Sequence, residues 1–260
     1  MPINWGIESY KWQSITNQIE SISYFKSVQS VFAGICLGNI APGRAIEFLG
    51  KIVFFKSENR PTITVLHFIN GFFQMLITVS AGLVAIIYKL TNSNASSYLM
   101  YVVLFFCTGL ILFFCWAIVN VAYVQKKLSY FKWFKLGNSS HDIKLSKKLM
   151  IKLIGFSIIR YTVFATQFYL IYSAMLPQVN FTNAITSIAA YFMITSAVPM
   201  ISVIEPAIRA AIALFVFNNG ADNTAIVILS STSLWLINVV IPSAIGYIIV
   251  LKEKIEFKTS

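Results

Sequence analysis

The sequence VFAGICLGNIAPGRAIEFLGKIVFF occupies residues 31–55, and ITSIAAYFMITSAVPMISVIEPAIRAAIALFVF occupies residues 185–217. Each is apolar at both ends and is broken by proline: Pro42 with Gly43 in the first, Pro199 and then Pro206 in the second. Each also carries a glutamate and an arginine just past its first break, Arg44 and Glu47 in one, Glu205 and Arg209 in the other. A charge at bilayer depth costs roughly 2.5–3.5 kcal/mol even on the mildest insertion scale, so an intramembrane ion pair is by default a functional-site hypothesis. In the first segment only about ten apolar residues lie on either side of the break, too few for either half to cross a bilayer. Re-entrant hairpins or broken helices are the natural reading, and such irregular backbone is tolerated only inside protein or beside a water-filled cavity.

The rest of the chain agrees with a membrane setting. Apolar residues make up 57% and charged residues 11% of its 260 positions, against about 25% charged in soluble domains. Mean hydropathy is +0.74. Residues 62–88, 99–124, 149–175 and 225–251 read as full spans, the last with Pro242 and Gly246 as kink points. Their apolar runs are continuous rather than alternating, which excludes a β-barrel. The expected fold is an all-α polytopic membrane protein filling a single transmembrane domain, residues 1–260, with about four full spans and two proline-broken hairpins in inverted arrangement. Residues 1–30 lack the pattern of a signal peptide. Trp5, Trp12, Ile15, Ile19 and Ile22 recur there near helical spacing, with Glu8, Lys11 and Glu20 between them. That pattern predicts an interfacial helix with its tryptophans at headgroup level.

Net charge is +11, and the lysines cluster in residues 125–148. Beside membrane helices this cluster marks the cytoplasmic side rather than a nucleic-acid partner, and its mixture of lysine with aromatics suits anionic headgroups. Residues 89–97, 176–184 and 218–224 then lie outside, while Lys51, Lys56, Arg60 and the C-terminus lie inside. This assignment closes only if both broken segments enter and leave on one side, the first from the cytoplasm and the second from outside. Asn39 to Glu47 (NIAPGRAIE) compares with Ser196 to Glu205 (SAVPMISVIE). Either the likeness is accidental, or the chain holds the inverted repeats with broken helices that secondary transporters use.

A helix that starts at mid-membrane presents unpaired N–H groups and a positive dipole end. With Arg44 and Arg209 added, an anion such as phosphate is the favoured ligand. Glu47 and Glu205 can each pair with the nearby arginine; alternatively these pairs only pin the hairpins. Arg160 lies deep in its span and either faces inward as a third cation or snorkels to the headgroups. His67, Asn70, Gln74 and Thr78 share one helix face, and Gln167 follows Arg160 by seven residues. These polar side chains either line a cavity or hold a helix interface by hydrogen bonds. Cys36, Cys107 and Cys115 have no metal-ligand spacing and read as small core residues. No catalytic, metal or cofactor motif is present in the sequence.

At these residues the chain resembles the transmembrane domain of lysylphosphatidylglycerol synthases and the wider flippase-like family that has this domain alone. Pro42-Gly43-Arg44-Ala45-Ile46-Glu47 is similar to the family's proline–small–arginine–x–x–glutamate pattern. The late hairpin from Pro199 to Glu205 and the order of spans around a basic loop add to the likeness, which covers nearly all of the chain. Met200-Ile201-Ser202-Val203 departs from a glycine-rich family pattern. Family members usually begin with a span ahead of the tryptophan-bearing segment that opens this chain, so either this chain lacks one helix or its Met1 is an internal start. The family's soluble aminoacyl-transfer domain has no counterpart among these residues. The resemblance therefore implies lipid binding or translocation in a bacterial inner membrane, with an anionic lipid as partner and no lysine transfer. Two other classes stay open. One is a non-transporting membrane partner, a homo-oligomer or a companion of an envelope or glycosyltransferase complex. The other is a membrane-embedded headgroup transferase using a glutamate or His67 as base.

Overall fold

The computed structural model describes residues 1–41, 44–92, 97–129, 143–200, 203–217 and 223–253. Among the described residues every regular element is helical. The helices are α1 (Pro2–Thr16), α2 (Tyr24–Gly38), α3 (Glu47–Ile52), α4 (Arg60–Thr91), α5 (Ser97–Val119) and α6 (Val121–Ser129). They continue with α7 (Lys147–Met175), α8 (Phe181–Ala197), α9 (Glu205–Phe217), α10 (Thr224–Trp235) and α11 (Ile241–Lys252). Among the described residues four stretches are long and apolar enough to cross a membrane: Arg60–Thr91, Tyr101–Val119, Lys147–Met175 and Thr224–Lys252. They fall on the four expected spans. Helix α5 turns large apolar side chains outward, Phe105 at 76% exposure and Leu112 at 69%. Lipid is the natural solvent for such a face.

The chain divides into two compact units. One comprises Met1–Asn70, Asn120–Phe156 and Leu236–Ser260; the other comprises Gly71–Val119 and Ser157–Trp235.

In the first unit, residues 1–30 do not form one helix. Helix α1 has proline in its first turn, where a missing N–H does no harm. It stops at Asn17, whose side-chain oxygen accepts from the Ile22 amide at 3.2 Å. Ser23 then caps α2, accepting from the Lys26 amide at 3.2 Å, and α2 runs on into the first broken segment. Trp12 and Ile15 are fully buried. The Trp12 indole meets the rings of Phe55 and His67 edge-on, and its N–H donates to Ser30 Oγ at 2.9 Å. At Trp12 the helical spacing thus marks a packing face, not a headgroup contact. Glu8 and Lys11 are buried as well.

Helix α3 folds back on α2 through glycines. A Cβ on Gly34 or Gly38 would meet Lys51 or Glu47, and one on Gly50 would meet the Ala33 carbonyl. Gly34 and Gly38 are the small-xxx-small spacing that lets helices approach closely in membranes. On its other side α2 takes α11, where Gly246 sits against the Phe32 carbonyl and Asn39 Nδ2 donates to Ser243 Oγ. Gly246 is therefore a contact point and not a kink. The irregularity of the last span is a π turn over Leu236–Val240 just ahead of Pro242. Proline has no N–H to close the usual i to i−4 bond, and the helix widens there.

In the second unit, α8 and α9 form the other hairpin over a core of Phe168, Tyr172, Ile188, Tyr191, Ala213 and Phe217. Asn180 caps α8 by accepting from the Asn183 amide at 3.1 Å. A further cluster joins Val79 of α4 to Cys107 and Phe114 of α5, with Met193 of α8 packed against it. Cys107 is buried as expected, but Cys36 is half-buried and Cys115 is exposed.

Gly246→Ala is expected to lower stability by about 1–3 kcal/mol, since the added methyl meets backbone rather than a movable side chain. Gly109→Ala, whose Cβ would meet nothing within 4 Å, is expected to hold or raise stability by about 0.5–1 kcal/mol. Thermal unfolding of the two variants in detergent checks both signs.

Candidate functional site

Both glutamates singled out in the sequence are the first residues of their helices, Glu47 of α3 and Glu205 of α9. A carboxylate there complements the positive dipole end. The partner of Glu47 differs from expectation. Its Oε1 lies 2.9 Å from Lys51 Nζ, one helical turn on, and no ion pair to Arg44 forms at such a distance. Lys51 Nζ also lies 3.6 Å from Glu8 Oε1 of α1, and it sits 5.2 Å from the centre of the Trp12 ring. The Lys51 side chain is 2% exposed, so it is a core residue of the hairpin and not a loop charge that reports orientation.

The network extends to α1 and α4. Lys11 Nζ donates to the Asn70 carbonyl at 3.1 Å, and Asn70 Nδ2 donates to Glu8 Oε1 at 3.1 Å. Two lysines thus balance two glutamates among helices α1, α3 and α4. His67 stands beside them between the rings of Trp12 and Phe68, and its Nδ1 has no hydrogen-bond partner among the described residues. Arg44 is half-buried and has a positive φ of 56°. A non-glycine residue held in that region costs about 1 kcal/mol or more and persists only when its surroundings demand it. Pro42 and Gly43 lie outside the described residues.

In the second unit, Glu205 is 4% exposed. Its Oε1 accepts from Arg209 Nε at 2.8 Å and pairs with the terminal guanidinium nitrogen at 2.8 Å. This pair forms as expected, and the Tyr191 hydroxyl lies beside the same guanidinium. Pro206, the second residue of α9, occupies a position where its missing N–H is harmless. Pro199 lies in the break between α8 and α9. Lys89 of α4 donates to Ser187 Oγ at 2.7 Å and to the Val216 carbonyl at 2.8 Å. It ties three helices together and places positive charge at the C-terminal, negative end of α9. Arg160 is half-buried, with its guanidinium 5.6 Å from the Phe164 ring centre. Gln167 is half-buried on the same helix. Gln74 Nε2 donates to the Ser157 carbonyl at 3.5 Å, and Thr78 Oγ1 to the Gln74 carbonyl at 3.0 Å. Asn70 and Gln74 thus serve helix–helix hydrogen bonds.

The corresponding ion pairs of the two hairpins are therefore Glu47 with Lys51 and Glu205 with Arg209. Each is a glutamate opening a helix and a cation one turn later, the favourable order for such a pair. Lys51, Lys11, Glu8 and Lys89 were not named as site residues from sequence. The Glu-x-x-x-Lys/Arg spacing shared by EFLGK and EPAIR was the available signal for Lys51. Arg44 and Glu47 belong to the first unit; Arg160, Gln167, Glu205 and Arg209 belong to the second.

A family model described as Lysylphosphatidylglycerol synthase TM region matches residues 2–240 of the chain. No curated protein and no solved structure matches it.

Lys51→Met is expected to lower stability by about 3–5 kcal/mol, because it leaves Glu8 and Glu47 buried without their counter-charge. Adding Glu47→Gln is expected to restore part of that loss, as read by thermal unfolding in detergent. Arg44→Gly is expected to leave stability unchanged or raise it, by relief of the positive φ, in the same measurement.

Proposed function

Since the chain belongs to the lysylphosphatidylglycerol synthase TM region family, we propose that it is a flippase-like membrane protein that binds and translocates an anionic, phosphate-bearing lipid. The observation that carries this reading is the placement of charge. In an overwhelmingly apolar protein, each hairpin keeps a glutamate at the start of its second helix with a cation one turn on. Replacing buried ion pairs with apolar residues is often neutral or stabilising, so a lipid-embedded chain gains little from them by packing alone. Arg44 is the proposed phosphate ligand of the first hairpin and Arg209, with Arg160 as a further cation of its unit, that of the second. Glu47 and Glu205 orient the basic groups, or receive an amino headgroup. The hairpins are proposed to be re-entrant and inverted, with the basic loop and C-terminus in the cytoplasm of a bacterial cell.

One observation favours the second reading, a non-transporting partner of an envelope complex. Glu47 and Arg209 already hold complete ion-pair partners, as structural pins would.

Reconstitution into vesicles separates the two. The purified protein is expected to speed the exchange of fluorescent phosphatidylglycerol between leaflets well above protein-free vesicles. Glu205→Gln with Arg209→Gln, which keeps shape and hydrogen bonding, is expected to reduce that rate at least about tenfold, the effect of losing one charge-assisted contact. Absence of any acceleration by the unaltered protein, for phosphatidylglycerol and for polyprenyl-phosphate lipids alike, would falsify the transport reading.

A further inference from the structure

The chain has two histidines, His67 and His141, and the second lies outside the described residues. His67 stands on α4 with its Nδ1 buried and without a hydrogen-bond partner among the described residues. A buried polar atom in that state costs stability and calls for a reason. The rings of Trp12 and Phe68 flank the imidazole, so packing holds it without using that nitrogen. Asn70, three residues further along α4, leaves its Oδ1 without a donor, and Ser9 of α1 leaves its Oγ without a partner. The polar interior of the first unit thus has hydrogen-bonding capacity that its own groups do not fill.

The charges that act on His67 are Lys51 and Glu47 of α3 and Glu8 of α1. Arg60 on its own helix turns instead to the Phe55 and Val53 carbonyls, and Lys26 of α2 is exposed. Lys51 is shared unequally between the two carboxylates, 2.9 Å from Glu47 and 3.6 Å from Glu8. Arg44 adds its charge to Glu47, and a Cβ on Gly38 would meet both of their side chains, at 3.5 Å and 3.0 Å. With Lys11 tied to Glu8 through Asn70, this network sets three cations, Arg44, Lys11 and Lys51, against two carboxylates. One positive charge is in excess. A proton on His67 would add a second away from water, which is the costly direction. A phosphate monoanion at Arg44 cancels the excess, and the same proton then only restores the charge that the network already carries. Anion and proton each favour the other, and such a linkage is reciprocal.

We propose that His67 is a proton-binding site linked to the anion site at Arg44, taking a proton at Nδ1 as a phosphate-bearing lipid binds. The proton comes from solvent: one N–H bond forms, the imidazole becomes imidazolium, and the acid that gave the proton keeps the electron pair. The proposal rests on Arg44 meeting phosphate, and it adds the proton as the second ligand of the same unit.

The test uses the full chain in mild detergent with short-chain phosphatidylglycerol, whose phosphodiester keeps a single charge between about pH 6 and pH 8, the range in which histidine titrates. Calorimetry in buffers of different ionisation heat counts the protons taken up with each lipid. The expected result is net uptake of up to about one proton per lipid, with affinity about fivefold or more higher at the lower pH. His67→Gln is expected to abolish the uptake and flatten the pH dependence, and His141→Gln to keep both. Arg44→Gln is expected to weaken binding about tenfold. Nitrogen-15 spectra of labelled histidine in the unaltered protein, assigned with His141→Gln, cover the case in which His67→Gln does not fold. At constant pH the His67 signals are expected to move toward those of imidazolium on adding lipid. Lipid binding that depends on Arg44 but brings no proton uptake, with unmoved His67 signals, overturns this proposal and leaves the anion reading standing. Uptake that persists in His67→Gln places the proton elsewhere and overturns it as well. Absence of lipid binding overturns both.

Discussion

An ammonium group held between two carboxylates, with almost no solvent, is the constraint from which the first unit follows. Burying Lys51 among Trp12, Gly34 and the α2 backbone is costly unless Glu8 and Glu47 stand where they do. That requirement fixes α1 to α3 across 43 residues of sequence separation, 51 minus 8. Glu8 then receives Asn70, and Lys11 reaches the Asn70 carbonyl, so α4 is fixed to α1 by the same charges. The geometry is unforgiving: a buried ion pair recovers its desolvation only when every lone pair and proton is met. The glycines supply that geometry. With any side chain at Gly34 or Gly50, α3 could not come close enough to α2 for Lys51 to reach both carboxylates.

The second unit meets the same problem with fewer charges. Glu205 and Arg209 satisfy each other within one helix, and Lys89 binds α8 and α9 to α4 through a hydroxyl and a carbonyl rather than a carboxylate. A lysine on a helix's last carbonyls works with the dipole, so a second buried anion is unnecessary. Aromatic packing supplies the rest, with Phe168 meeting Tyr191 and Phe217 across three helices.

The four spans were legible because each is an uninterrupted apolar run, and length against bilayer thickness is the strongest signal a membrane sequence carries. The hairpin breaks were legible for a related reason: proline followed by glutamate both ends one helix and opens the next. The buried network was not. Local spacing suggests partners within one helix, so Glu47 was matched to Arg44, whereas Glu8 and Asn70 come from elements far away in sequence. Residues 1–30 misled for the same reason. Trp12 and Lys11 have the spacing of a surface helix, and only the tertiary environment shows that protein buries both of them. Gly246 likewise marked a special position, but sequence does not distinguish a bend from a close contact.

Lys51 as the partner of Glu47 changes what the comparison of the two hairpins means. Each motif becomes a proline, a glutamate five or six residues later, and a cation four residues beyond that. The motif is then the same in order as well as in composition, which the arginine-based alignment was not. Arg44 is left over. It has no counterpart before Glu205, where Ser202 holds the equivalent place in the sequence, and Glu47 has already spent its nearest oxygen on Lys51. It also keeps a positive φ, which persists only because its surroundings hold it. A half-buried guanidinium held in an unfavourable backbone, its charge acting on the neighbouring Glu47, is the feature on which we propose Arg44 as a phosphate ligand. Of the charges at the two breaks, Arg44 is thus the one that the ion-pair motif shared by the two hairpins does not include.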